Sequence, residues 1–190
     1  MGGFIFRGMA LAASAVLAAM AAAGPAKAEN FTLISPGLAD NGMLALKNAG
    51  KNPANPNCLG DNVSPPLAWS NAPGATKSSA LLAYDPEGAG GLGVAHWVAY
   101  GVAANVVSLA EGEAGAPSAK FTGGKNTPGT AVYYGPCPPP GNPHHYNFTI
   151  IATDLEPAAL APGLTRDELF GALKGHALGA TGFVGRFAHP

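Results

Sequence analysis

Four side chains that can exchange protons or donate hydrogen bonds interrupt apolar stretches of this sequence: Asp85, His96, His144 and Tyr146. Two imidazoles and a phenol supply donors, and backbone amides around Gly135 and Cys137 add more. Donors that converge on a small cavity bind an oxyanion. A carboxylate in that cavity would repel the anion. The sensible role of Asp85 is therefore to hold an imidazole in place and favour its charged form. The same atoms suit two other chemistries. His96, His144 and Asp85 have the composition of a two-histidine, one-carboxylate metal site. A histidine and an aspartate also serve hydrolases, but neither a Gly-x-Ser-x-Gly elbow nor a His-Glu-x-x-His motif accompanies them.

The stretch that must position these groups is residues 133–146, Tyr-Tyr-Gly-Pro-Cys-Pro-Pro-Pro-Gly-Asn-Pro-His-His-Tyr. Its prolines lack amide donors and its glycines oppose helix, so it is neither a helix nor a central strand. It reads as a rigid, shaped loop that delivers two histidines and a tyrosine to the mouth of a strand over 147–154. Side chains alternate along a strand. His144, Tyr146, Phe148, Ile150 and Ala152 then share the core face, and His145 points outward.

Further strands are expected over 31–34, 43–47, 79–84, 94–102 and 180–187. In the strand over 94–102, alternation places His96 on one face with Val98, Tyr100 and Val102. Residues 48–66 read as a long ordered loop, 88–93 as a flexible turn and 108–130 as loop. Trp69 reads as core. Residues 164–176 read as a helix: Thr165 is its N-cap, Glu168 completes a capping box, and Leu169, Ala172 and Leu173 form its apolar stripe. His176 falls at the C-terminal end, where a cation is favourable.

The ends and the composition set the context. Residues 1–28 carry Arg7, an apolar run over 9–23 and a closing Ala26-Lys27-Ala28. This is the pattern of a secretory signal peptide cut before Glu29, with an apolar run too short for a confident membrane span. Its removal takes the formal charge from −1 to −3, because Arg7 and Lys27 leave with it. The remaining chain, 29–190, has the length of one domain. Its weakly acidic charge and lack of a basic run argue against nucleic acid, and its low charge density is compatible with a homodimer. Nothing in it asks for a cofactor. Its two cysteines, Cys58 and Cys137, are a disulfide in an oxidising compartment or two buried thiols.

Four ordered motifs carry a family resemblance. They are Asn62-Val63-Ser64-Pro65-Pro66-Leu67 with Trp69, Tyr84-Asp85-Pro86-Glu87, His96-Trp97-Val98, and Gly135-Pro136-Cys137-Pro138-Pro139 with His144-His145-Tyr146. Together they resemble the phosphatidylethanolamine-binding proteins, in particular their bacterial Raf-kinase-inhibitor-like branch. The C-terminal Leu164-Thr165-Arg166-Asp167-Glu168-Leu169 and Gly185-Arg186-Phe187 are similar to that branch as well. The resemblance implies a mainly β protein, a Greek-key-like β-sandwich with an anion pocket at one end and a C-terminal helix. It implies a ligand site made of Asp85, His96, Gly135, Cys137, His144 and Tyr146. It also implies a non-enzymatic, periplasmic or secreted binding protein for phosphate-like or phospholipid head groups, with a kinase or protease as a possible partner. Cys137 then falls beside the pocket, so a Cys58–Cys137 disulfide would tie the long loop to the pocket rim. One departure sits at that rim: Asp85-Pro86-Glu87-Gly88-Ala89 replaces the family's Asp-Pro-Asp-x-Pro.

Overall fold

The structure, a computed structural model, describes residues 1–3 and 29–190. The expected signal peptide, and with it the cleavage site, falls almost wholly outside the described residues. From Glu29 onward the chain is a sandwich of two sheets.

The larger sheet contains β2 (Gly42–Met43), β9 (Ala177–Phe187), β8 (His144–Thr153), β4 (Ser78–Asp85), β5 (Val94–Ala103) and β7 (Thr122–Gly123), in that spatial order. β2 runs parallel to β9 and the other pairs are antiparallel. The smaller sheet contains β1 (Thr32–Ile34), β3 (Leu67–Ser70) and β6 (Ser108–Leu109). Leu33, Leu67, Trp69 and Leu109 from the small sheet pack with Leu81, Trp97, Phe148, Ile150 and Phe183 from the large one. That inter-sheet layer is the main core, and Trp69 belongs to it as expected.

The opposite face of the large sheet is covered by α2 (Arg166–Ala172), whose Leu169, with the C-cap residue Leu173, packs on Ala80, Val98 and Tyr100. β4 is therefore buried on both faces. This is why Ser-Ser-Ala-Leu-Leu-Ala-Tyr-Asp shows no alternation of apolar and polar residues. The α2 cap is the expected one: Thr165 Oγ1 accepts from Glu168 N, and Glu168 Oε2 accepts from Thr165 N at 2.9 Å.

Several expectations are corrected. Residues 43–47 are not a strand: β2 stops at Met43 and a 3-10 turn follows over Leu46–Asn48. Its cap comes from the side chain of Asn48, whose Oδ1 accepts from Ala45 N. Residues 88–93 hold the expected turn, and its first four residues close as α1 (Gly88–Gly91), one tight turn in which Ala89 and Gly90 take positive φ. The 108–130 loop contains β6, β7 and a 3-10 turn over Glu113–Gly115. The helix expected over 164–176 ends at Ala172, so His176 lies beyond it; its amide donates to Leu173 O at 3.0 Å and its Nδ1 to Asp154 Oδ1 at 2.8 Å.

Candidate functional site

Three strand ends meet at one edge of the large sheet. β4 pairs with β8 through Tyr84 and Asn147 and with β5 through Asp85 and Val94. The end of β4 therefore lies beside the starts of β5 and β8, bringing Asp85, His96 and His144 together.

Asp85 is 3% exposed and fully engaged. Its Oδ1 accepts from Glu87 N at 2.8 Å and Gly88 N at 2.9 Å, which closes the turn into α1. Its Oδ2 accepts from His144 Nδ1 at 2.8 Å. Between the two replaced rim residues, Glu87 and Ala89, Gly88 has a local reason to be glycine. A Cβ on Gly88 would stand 2.6 Å from Val94 Cγ2 and 3.1 Å from Asp85 Oδ2, so glycine lets the turn close over the carboxylate.

The direction of His96 corrects the simple alternation. Ala83 pairs with Trp97 while Tyr84 pairs with Ala95, so His96 is the extra residue of a bulge in β5. The bulge turns its ring away from Val98 and Tyr100, which face α2. The ring instead stands edge-on to Tyr146, centroids 5.1 Å apart at 75°. Bulges re-aim side chains in this way next to functional sites. His96 Nδ1 donates to the carbonyl of Tyr134 at 2.7 Å. Burial pushes the ring's pKa down, against the opposing pull of the Tyr134 carbonyl and Asp85.

The loop that carries Tyr134 is fastened by groups the sequence did not point to. Asn126 Nδ2 donates to the carbonyls of His96 and Val132, and its Oδ1 accepts from Thr130 N. Asn62 Nδ2 donates to Tyr133 O, and its Oδ1 accepts from Gly135 N at 2.7 Å. The only sequence signal for Asn62 was its place in a family motif, and Asn126 had none. Cys58 and Cys137 form a disulfide, with Cα atoms 4.6 Å apart, and so join the 48–66 loop to the rim.

A cavity of about 170 Å3 opens here, with Asp85, His96, Tyr134, Cys137, Pro138 and His144 among its walls. Gly135 and Tyr146 do not line it. The Gly135 amide is spent on Asn62 and Pro136 has no amide, so the expected donors from this loop are reduced. Gly135 packs so tightly on the backbone of Asn48, Ala49 and Gly50 that no Cβ fits. Tyr146 is buried beneath His96. Its Oη has no partner among the described residues, and burial pushes its pKa up.

His145 faces outward as alternation requires. Its Nδ1 donates to Glu87 Oε1 at 2.7 Å and its amide to Oε2 at 3.2 Å. Burial raises the Glu87 carboxyl, but these bonds outweigh it and hold the group down at about 2. The ligand-type atoms within 4.8 Å of one another belong to Asp85, Glu87 and His144; His96 stands outside that group.

A family model described as phosphatidylethanolamine-binding protein matches residues 34–188. A UPF0098 protein of Methanothermobacter thermautotrophicus is 35% identical over 145 residues, which is 75% of this chain and 94% of that protein. A Mycobacterium tuberculosis protein named "Putative lipoprotein LppC" is 38% identical over 163 residues, 84% of this chain and 73% of that one. The crystal structure of Escherichia coli YbcL, described as a new member of the mammalian PEBP family, matches with a TM-score of 0.74 at 26% identity. It covers 83% of this chain and 98% of its own.

Proposed function

The chain belongs to the phosphatidylethanolamine-binding protein family, and from that premise we propose that it is a non-enzymatic, exported binding protein whose cavity takes a phosphate-like group, free or as a phospholipid head group. The observation that carries this reading is the pair of anchored imidazoles. His96 and His144 line one cavity, and each spends Nδ1 on a protein acceptor, Tyr134 O or Asp85 Oδ2. Each ring therefore keeps Nε2 for a ligand. Such anchoring fixes tautomer and orientation in advance, which lowers the ordering cost of binding.

Calorimetry with phosphoethanolamine tests the reading. The wild type binds and His144→Ala loses at least about tenfold in affinity, the worth of one charge-assisted hydrogen bond. Equal affinity in the two proteins would place the ligand elsewhere. Turnover of simple esters that disappears with His96 would replace binding by hydrolysis.

Export is supported by the disulfide, by the lipoprotein name of the Mycobacterium relative and by the leader pattern in the sequence. Among the described residues, no helix is long and apolar enough to cross a membrane. A protein partner such as a kinase or protease would meet the site at its outer rim. There a second hollow of about 410 Å3 is lined by Glu87, Pro139 and His145 and shares His144 with the cavity.

The closeness of Asp85, Glu87 and His144 favours a second reading, a divalent cation. It ranks behind the first because both Asp85 oxygens already accept hydrogen bonds. Elemental analysis of protein purified without a histidine tag separates the two.

A further inference from the structure

We infer that the cavity selects a phosphomonoester in its singly protonated form, ROPO3H−, over phosphodiesters and sulfate esters. This rests on the phosphate reading above and narrows it to monoesters, so that of the two sources named there a phospholipid head group joined as a diester is disfavoured.

The inference follows from the tautomer of His96. A carbonyl oxygen only accepts, so the 2.7 Å contact with Tyr134 O places a proton on Nδ1. In the neutral ring Nε2 is then a bare lone pair. His96 is 5% exposed, and burial resists a second proton on it. The groups facing it do not reverse this. From β4, Asp85 has its charge already shared among Glu87 N, Gly88 N and His144. From β8 come His144, whose positive charge when protonated opposes a second one, and Tyr146, whose phenol is held neutral by burial. Glu87 is turned to His145.

The cavity thus presents one acceptor, His96 Nε2. Beside it stands His144, whose Nδ1–H is spent on Asp85 Oδ2. The complementary ligand needs an oxygen that donates. A singly protonated phosphomonoester has one. A phosphodiester or a sulfate ester has only acceptors near neutral pH, so one of its oxygens would face the Nε2 lone pair. A buried acceptor set against an acceptor leaves two groups without partners. The volume of about 170 Å3 admits the phosphate and a small substituent.

The probes are methyl phosphate, dimethyl phosphate and methyl sulfate, measured by calorimetry near pH 6, where a monoester is about half singly protonated. Histidine ring signals are followed by NMR. Methyl phosphate is expected to bind at least about tenfold more tightly than the other two. Its affinity should fall as pH rises above about 6 and the P–OH proton is lost. Equal binding of dimethyl phosphate overturns the selectivity and leaves the phosphate pocket standing. Failure of all three to bind, with the ring signals of His96 and His144 unmoved, overturns both. In His96→Gln the amide can turn its NH2 to the ligand, so the preference should collapse. A preference that persists in folded His96→Gln also overturns the inference.

Discussion

His144 and His145 are neighbours in sequence with opposite surroundings. The first is tied to buried Asp85 and lines the cavity, while the second is tied to Glu87 on the outside. His145→Ala is therefore expected to leave phosphate affinity within about twofold, where His144→Ala loses at least about tenfold. Equal losses would mean that both rings face the ligand. The acids and bases of the site also set two pH windows for stability. Glu87 has its folded pKa depressed from 4.5 to about 2. Its contribution is present above the unfolded value and is lost as pH falls through about 4.5 to about 2. Both partners are well exposed, so solvent screening keeps the effect small. Thermal melts should show that Glu87→Gln flattens this acid limb and leaves stability near neutrality unchanged. His96 acts earlier. Its folded pKa lies below the ordinary 6.5, so the unfolded chain takes up a proton that the folded one refuses, and stability falls as pH drops below about 6.5. The inward His144 was legible from alternation alone. The direction of His96 was not, because a bulge belongs to the pairing of β5 with β4 and leaves no mark in β5 itself.

At the scale of elements, α2 was the most legible part of the chain. Its cap, first-turn acids and apolar stripe are all local, within one turn of one another. Thr165→Ala removes the side-chain acceptor for Glu168 N and is expected to cost about 1 kcal/mol, read by urea denaturation. A loss near zero would mean that packing of Leu169 and Leu173 alone holds the helix. The strands at the site were legible as apolar runs, and the proline-rich stretch as a shaped loop. What fastens that loop was not. Asn62 reaches Tyr133 and Gly135 across more than 70 residues, and Asn126 reaches back 30 residues to His96 O. A side-chain amide that bonds a distant backbone has no sequence period. The loss of the Gly135 amide as a ligand donor had the same origin, since its acceptor lies in the other loop.

Across the whole molecule, the Cys58–Cys137 bond spans 79 positions and connects the two loops that frame the cavity. In the chain-entropy account such a bond stabilises by about 4 kcal/mol. Reduction, or Cys58→Ser with Cys137→Ser, should lower the urea midpoint accordingly and weaken phosphate binding, since Cys137 is a wall of the cavity. A midpoint that does not move would assign the loops' order to Asn62 and Asn126 alone. The rim beyond Cys137 has a different property. Five of the eight residues from 136 to 143 are proline. Proline carries no amide hydrogen. Deuterium-exchange footprints of ligand binding will therefore be nearly blank over the segment closest to the ligand. The informative amides are those just upstream, Tyr134 N–H on His96 O and Gly135 N–H on Asn62 Oδ1. A ligand that tightens the rim will register there as slower exchange, while the rim itself stays silent.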